Sequence, residues 1–321
     1  MYREAARTAE NPAASADPTG RPAWDDQERA ALVALLRARY GGLTWSEIAA
    51  DVADACSASS IWDQHHSPDL FTDGAPSPLM LAALAEIEHW KNDDFQFLTF
   101  MDDGYPQQLL EVHQFPPVLF VKGALISREV GVSVVGSRSA SQQALRSTHE
   151  IAELLTKDGI TVISGLAAGV DTAAHLATLE AGGRTVAVIG TGIRKYYPSQ
   201  NRELQDAISG RGLVISQFWP DSPPSKSSFP MRNATMSAYG SATIVVEAGE
   251  HSGARIQARL AVAHGRPVVL MDSVVRGTSW GAKLHGQPGV MVADGPMDVI
   301  RHVNKIVSNE GKVSALLGVM S

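Results

Sequence analysis

The chain has 321 residues, 44% apolar and 19% charged, an ordinary composition for a folded globular protein of one or two domains. Its formal net charge of −7 argues against a protein that coats duplex DNA through bulk charge, although a local cationic groove stays possible. Cys56 is the single cysteine, so no disulfide can form within the chain. The sequence contains no run of 18 or more apolar residues, the length needed to cross a membrane as a helix. We therefore expect a cytoplasmic protein with no membrane partner.

The first part of the chain predicts a polar tail followed by a small helical domain. Residues 1–25 are rich in Ala, Pro and Ser and lack the apolar core of a signal peptide, which predicts a disordered tail. Three segments show the composition and spacing of helices: 25–40, 48–55 and 77–90. Thr44 and Glu47 have the spacing of a capping box before the second helix. Residues 26–95 are therefore assigned to a helical N-terminal domain.

Short apolar segments then alternate with helical ones. Predicted strands lie at 95–101, 116–123, 132–135, 160–163, 185–189, 213–215, 242–246 and 267–271. Predicted helices lie at 142–157, 171–181 and 252–264. Buried strands that alternate with helices favour an α/β fold, a parallel sheet covered on both faces. We expect this open sheet to end near residue 298, followed by one short C-terminal helix and tail over 299–321.

Glycine and small residues follow four of the predicted strands. These junctions are 136–139, 164–171, 190–192 and 247–253. In an open parallel sheet, ligands bind beyond the carboxyl ends of the strands, where helix N-termini present N–H groups to anions. Each junction alone fits a tight turn, whereas four at one edge favour a phosphate cradle. None has P-loop or Gly-x-Gly-x-x-Gly spacing, so we predict no cofactor.

Two arginines beside backbone breaks carry most of the functional signal. Arg138 lies between a strand and a helix and could point into the cradle, although a plain surface arginine is the alternative. Arg232 lies in the Pro-flanked segment Phe229-Pro230-Met231-Arg232-Asn233. Phe229 either stacks on a base or fills the core, and Lys226 either contacts phosphate or is simply solvated. Together these residues indicate a protein that binds a strand of nucleic acid.

The other polar residues fit catalysis poorly. Asp171 and His175, spaced i, i+4 at a helix start, are more typical of a helix cap and a helix-face histidine than of an acid–base pair. Glu247 ends a strand, but without a nucleophile or metal beside it we favour a hydrogen bond to ligand or backbone. His65 and His66 do not have the spacing of a standard metal site. We predict no catalytic residue and no metal.

At these residues the chain resembles the DNA-processing protein A family, also called DprA or Smf. The matching segments are Tyr105-Pro106, Pro116-Pro117-Val118-Leu119-Phe120, Gly136-Ser137-Arg138, Ser164 to Asp171 with Ala174-His175, Tyr197-Pro198 with Asn201, Phe229-Pro230 with Arg232-Asn233, Val245-Val246-Glu247-Ala248 and Ser252-Gly253. They follow the family's order from about residue 97 to residue 271. Each segment is a weak signal alone, and together they are highly specific.

The resemblance implies an extended Rossmann-like domain, here residues 96–298, behind the helical domain. Members of the family bind single-stranded DNA without cutting it, form homodimers and load RecA recombinase during transformation. By motif match, the strand contacts are the Gly-Ser-Arg loop and the Phe-Pro-x-Arg-Asn segment. With the cradle, the candidate DNA- and phosphate-binding residues are Gly136, Ser137, Arg138, Ser164, Gly165, Gly169, Lys226, Phe229, Arg232, Asn233, Glu247, Ser252 and Gly253.

The chain departs from the family after Asn233, where an arginine is usual and Ala234 stands here. We expect Ala234 to face solvent or ligand, because no apolar periodicity includes it. The departure motivates a second hypothesis, a nucleotide-sensing protein of a defence or stress system. A phosphoribohydrolase of the Lonely Guy type is disfavoured because its Pro-Gly-Gly-x-Gly-Thr signature is absent. The sequence thus favours a non-enzymatic, homodimeric single-stranded DNA binder.

Overall fold

The computed structural model describes residues 24–66 and 77–319, with side chains described as far as residue 311. The tail predicted over 1–25 lies almost entirely outside these ranges. By its internal contacts, the chain divides into two units, Met1–His89 and Trp90–Ser321. No helix within the described ranges combines the length and apolar character needed to span a bilayer.

Helices make up the first unit. They are α1 (Asp26–Ala38), α2 (Trp45–Ala55), α3 (Ala58–His65) and α4 (Pro78–Lys91). The predicted capping box of α2 is confirmed, since the Thr44 and Glu47 side chains each bond the other's backbone N–H group. The sequence did not predict α3. Its start is fixed from α1, because the buried carboxylate of Glu28 accepts hydrogen bonds from the Ser57 hydroxyl and the Ala58 backbone.

The second unit contains a nine-stranded sheet with helices between its strands. The strands are β1 (Gln96–Thr99), β2 (Val118–Gly123), β3 (Gly131–Val135), β4 (Thr161–Ser164), β5 (Thr185–Val188), β6 (Leu213–Ser216), β7 (Ala242–Val245), β8 (Val268–Met271) and β9 (Val290–Ala293). The helices are α5 (Gln142–Lys157), α6 (Val170–Glu180), α7 (Arg202–Arg211), α8 (Ser228–Tyr239), α9 (Gly253–Ala263), α10 (Asp272–Gly277), α11 (Ser279–His285) and α12 (Pro296–Val319).

Strand order explains where a ligand can bind. The order across the sheet is β1-β2-β6-β5-β4-β3-β7-β8-β9, with β2 antiparallel to both of its neighbours and all pairs from β6 to β9 parallel. The predicted α/β class and Rossmann-like sheet are confirmed. The strands β4, β5 and β6 are added on one side of β3, and β7, β8 and β9 are added on its other side. The order therefore reverses between β3 and β7, and the connections after these two neighbouring strands leave on opposite faces of the sheet, with a crevice between them.

Two expectations from the sequence were wrong. The C-terminal helix is not short, because α12 runs for 24 residues. The segment Phe229–Asn233, expected to lie beside a backbone break, is instead part of the helix α8. Pro230 is tolerated there because it falls in the first turn, where its missing N–H group would have no helical partner. The same helix buries every residue from Arg232 to Tyr239 and so lacks the amphipathic stripe that marks a surface helix.

A buried carboxylate holds the opposite edge of the sheet together. Glu129, 8% exposed just before β3, accepts hydrogen bonds from Arg184, from the Thr161 hydroxyl at 2.8 Å and from the Tyr239 hydroxyl at 2.8 Å. Burial, together with the Glu129 charge, raises the pKa of Tyr239 far above its usual range. One side chain thus joins the starts of β4 and β5 to the end of α8.

Replacing Glu129 with alanine should strongly destabilise the protein. Removing one partner of a buried ion pair typically costs about 3–5 kcal/mol, because the other charge is left without compensation. Tyr239→Phe is the matched control, since it removes a single hydrogen bond worth about 1 kcal/mol. Urea denaturation gives the free energy of unfolding of both variants. Equal losses in the two variants would contradict a central role for Glu129.

Candidate functional site

A pocket of about 530 Å³ lies at the point where the strand order reverses. Its walls come from the loops after β3 and β7, the start of α6, one side of α8 and the start of α9. Eight of the thirteen predicted site residues line it: Gly136, Ser137, Arg138, Phe229, Arg232, Asn233, Ser252 and Gly253. The other five, Ser164, Gly165, Gly169, Lys226 and Glu247, are not part of its wall. The structure therefore brings together the Gly-Ser-Arg loop and the Phe-Pro-x-Arg-Asn segment.

A cation and an aromatic ring meet at the pocket wall. Arg138 is exposed, and its guanidinium carbon lies 5.3 Å from the centre of the Phe229 ring. The half-buried Phe229 ring packs on Gly190, where an added Cβ would come within 2.8 Å of it. Phe229 is thus neither buried in the core nor fully exposed to solvent. Its ring makes a cation–π contact with the Arg138 guanidinium. Lys226 is exposed on the segment that precedes α8.

Glycines allow the loops around the pocket to approach each other closely. A Cβ on Gly136 would lie 2.5 Å from Val170, and one on Gly169, whose φ is +79°, would lie 2.2 Å from the Ser137 carbonyl oxygen. That oxygen accepts a hydrogen bond from the backbone N–H of Val170 at 3.2 Å. The loops after β3 and β4 are therefore locked against each other, which fixes the backbone that carries Arg138.

Glu247 and Ser164 support the site from behind. Glu247 accepts hydrogen bonds from both the backbone N–H and the hydroxyl of Ser141, at 3.0 and 2.5 Å. Ser141 in turn caps α5, so Glu247 ties the end of β7 to the start of that helix. The buried Ser164 hydroxyl donates to the Val134 carbonyl at 2.7 Å. Both side chains hold strand ends in position.

Arg232 is the most deeply buried cation of the site, with 5% exposure. Its Nη1 donates to the carbonyl oxygens of Gly165 and of Val188, the latter at 2.9 Å. A side chain at Gly165 would collide with the guanidinium, with its Cβ 1.7 Å from Nη1. Burial lowers the pKa of Arg232, while the nearby Asp171 carboxylate raises it. Arg232 therefore lines the pocket, but its Nη1 hydrogen bonds go to backbone carbonyls at the strand ends.

Asp171 and His175 are engaged separately. The Asp171 carboxylate accepts from the backbone N–H groups of Gly165 and Ala167, at 3.2 and 3.3 Å, in the loop before α6. Burial raises its pKa, against the opposing effect of Arg232. His175 is fully buried, with Nδ1 2.7 Å from the Thr185 hydroxyl oxygen. That hydroxyl donates to the Val162 carbonyl, so His175 Nδ1 carries the hydrogen. These contacts favour the structural interpretation of both residues.

His175 should make stability depend on pH. Burial lowers its pKa from 6.5 to about 3, with Arg232 adding to the effect. Below pH 6.5 the histidine is protonated in the unfolded chain but stays neutral in the folded protein. The contribution of neutral His175 to the free energy of unfolding is therefore fully present above pH 6.5 and is lost as the pH falls towards 3. Urea unfolding of wild type and His175→Gln should show an advantage of the histidine that shrinks by about 2 kcal/mol between neutral pH and about pH 5. An equal advantage at both pH values would contradict neutral burial.

The site also contains residues for which no role was predicted from the sequence. His251, Met236 and Gln257 line the pocket. Asn201 donates from its side-chain amide to the Leu166 carbonyl at 2.9 Å and to the Thr172 hydroxyl at 2.8 Å, which ties the loop after β5 to the loop after β4. Asn201 belongs to a segment that matched the family, yet a motif alone does not show which loop it reaches.

Ala234 does not face solvent or ligand, contrary to expectation. It is 9% exposed within α8, because that helix is covered on nearly every side. Ala234→Arg should therefore destabilise the protein, since overpacking a core costs about 1–3 kcal/mol before the burial of a charge is added. Met231→Arg on the same helix is the matched control, because Met231 is 42% exposed. Equal melting temperatures for the two variants would show that the Ala234 site has room for an arginine.

An open, mostly parallel sheet whose strand order reverses in this way places the chain among Rossmann-like α/β proteins. The model of the DNA recombination-mediator protein A family matches residues 96–309, and the chain belongs to that family. Protein Smf of Synechocystis sp. is 36% identical over 237 residues, which cover 72% of this chain and 56% of the relative. The chain therefore matches little more than half of that relative's length.

Two solved structures share the fold. The structure of DNA processing protein A from Streptococcus pneumoniae has a TM-score of 0.65 and 29% identity, and the likeness covers 86% of this chain and 95% of that one. The structure of DNA processing protein A from Helicobacter pylori, which concerns the single-stranded DNA binding mode of that protein, has a TM-score of 0.57 and 23% identity. It covers 67% of this chain and 97% of the other.

Proposed function

We propose that this protein binds single-stranded DNA in the pocket beside β3 and acts as a DNA-processing protein without cutting the strand. The observation that carries the proposal is the Arg138 guanidinium resting on the half-exposed Phe229 ring at the pocket wall. Proteins that hold single strands without sequence preference combine cations for the phosphates with aromatic rings for the bases. Here both are provided by neighbouring side chains.

Backbone groups of the pocket also favour an anionic ligand. Ser252 caps α9, accepting from the backbone N–H of Ala254 at 3.2 Å, and Ser252, Gly253 and Ala254 all line the pocket. The positive end of the α9 dipole therefore lies at the wall, where a phosphate would be stabilised. The exposed Lys226 adds a second accessible cation on the segment before α8.

Binding is favoured over catalysis because the carboxylates of this edge are already engaged. Asp171 accepts from two backbone N–H groups, and Glu247 bonds the start of α5 through Ser141. A general base must lie within hydrogen-bond reach of the proton that it removes, whereas both Glu247 oxygens and the Asp171 Oδ2 are bonded to groups of the protein. The family supports the same direction, since the Helicobacter pylori relative has a described single-stranded DNA binding mode. A cytoplasmic location, a homodimer and the loading of RecA recombinase complete the proposal by resemblance to the family.

A nucleotide is the second candidate ligand, and the dimensions of the pocket favour it. A volume of about 530 Å³ falls within the range of small-molecule sites. The two ligands share a phosphate and a base, so they are separated by competition: a free nucleotide that displaces labelled oligo-dT at low concentration would favour the sensor hypothesis.

Arg138→Ala tests the proposed function directly. A charge-assisted hydrogen bond to phosphate accounts for about a tenfold or larger effect on affinity, so fluorescence anisotropy with labelled oligo-dT should show at least that loss. The slope of log K against log salt should become less negative by about 0.7, the value for one phosphate contact on a single strand.

Lys157→Ala is the control for this experiment. It also removes one positive charge, but at the last residue of α5, away from the pocket wall. Its affinity and its melting temperature should match those of the wild type. Equal affinity of the wild type for duplex and single strand, or binding that does not depend on salt, would refute the proposal. A loss of folding in Arg138→Ala would assign that arginine to structure.

A further inference from the structure

Tyr197, which lies in the loop after β5, forms a row with the two residues that carry the proposed function. Its ring centre is 5.5 Å from that of Phe229, and the ring planes are inclined by 44°. Phe229 in turn contacts the guanidinium of Arg138. Tyr197 is 40% exposed and is not part of the pocket wall. The row Arg138–Phe229–Tyr197 therefore leads from the pocket onto the surface.

We propose that Tyr197 is a second base-stacking residue, which takes the base next to the one held by Phe229. This inference rests on the proposed single-stranded DNA site and extends it beyond the pocket. The ligand class is an unpaired nucleobase, with no preference among bases, because every base presents a flat π-face.

Tyr196, the neighbour of Tyr197 in the same loop, has both its hydroxyl and its ring engaged by other residues of the protein. Tyr196 donates its hydroxyl to Asp206 at 2.9 Å, and the guanidinium of Arg202 covers its ring at 4.7 Å. No hydrogen bond to the Tyr197 hydroxyl is found within the described part of the chain. One tyrosine is thus engaged within the protein, while the other presents an aromatic surface beside a candidate ligand site.

The loop that carries Tyr197 is held at both ends, so little order has to be gained on binding. Gly192 donates its backbone N–H to the Ser222 carbonyl at 2.9 Å, and Arg194 donates its backbone N–H to the Pro220 carbonyl at 3.1 Å. At the other end, the Asn201 amide bonds the loop after β4. A tyrosine with only two side-chain torsions on such a loop adds contact area at low entropic cost.

The ring geometry also limits where bases can stack. At 5.5 Å the two rings are in contact with each other, so no base fits between them. Each ring can stack only on its remaining exposed surface, and so the rings take different bases. Two bases that are separated in this way must be unpaired and splayed, which a duplex does not offer. A free mononucleotide would fill the pocket without reaching Tyr197.

Tyr197→Leu tests this inference. Binding of a long labelled oligo-dT should weaken about fivefold or more, since one lost base–aromatic stack has at least that effect. The affinity for a mononucleotide, measured by competition, should not change. Tyr197→Phe should retain wild-type affinity, and Tyr196→Leu, the same kind of change one residue away, should bind like the wild type. An oligonucleotide carrying 2-aminopurine should show fluorescence quenching with the wild type that is partly lost in Tyr197→Leu.

The outcomes separate this inference from the function on which it rests. If Arg138→Ala weakens binding but Tyr197→Leu has wild-type affinity and quenching, the second stack is refuted and the DNA site stands. If the wild type itself does not bind oligo-dT, the DNA site is refuted and the second stack with it. Equal losses in Tyr197→Leu and Tyr196→Leu, with lowered melting temperatures, would assign Tyr197 to the loop's structure.

Discussion

The site depends on one buried interaction, the hydrogen bonds from the Arg232 guanidinium to the carbonyl oxygens of Gly165 and Val188. These carbonyls follow β4 and end β5, so the arginine fixes the start of α8 at the carboxyl edge of the sheet. Phe229 lies one turn earlier on that helix and is thereby placed beside Arg138. An arginine suits this task because its planar fork can serve two acceptors at once and keeps its charge when buried.

The buried charge of Arg232 restricts which residues can stand next to it. A buried guanidinium is costly unless an opposite charge and hydrogen-bond acceptors compensate it. Asp171 supplies the charge, and its own carboxylate is balanced by the N–H groups of Gly165 and Ala167. Gly165 must be glycine because the guanidinium occupies the volume of a side chain there. The glycine and the aspartate of the segment after β4 and the arginine of α8 therefore form a single structural requirement, which accounts for their joint presence in a motif set.

Much of the fold could be predicted from the sequence because it depends on local signals. The strands from β1 to β8 are short apolar runs, α5 has a clear apolar face, and Thr44 with Glu47 marks the start of α2. By contrast, α8 was hidden because its proline resembles a helix breaker and its residues are buried on nearly every side, which leaves no helical period. Glu28, which caps α3 from another helix, illustrates the same limit, since tertiary contacts leave no mark on local sequence.

The part of the site that depends on local sequence signals could also be predicted, whereas the tertiary contacts within it could not. Arg138 and the glycines of its loop follow a strand, and the rule for open sheets places them at a ligand edge from sequence alone. Sequence cannot show how donors are divided between ligand and protein, and so Arg232 and Arg138 looked equivalent. The structure separates them: one arginine is buried on strand-end carbonyls, and the other is exposed on an aromatic ring. The buried arginine builds the platform that the exposed one uses, so a strand of DNA would meet Arg138, Phe229 and Tyr197 while depending on Arg232.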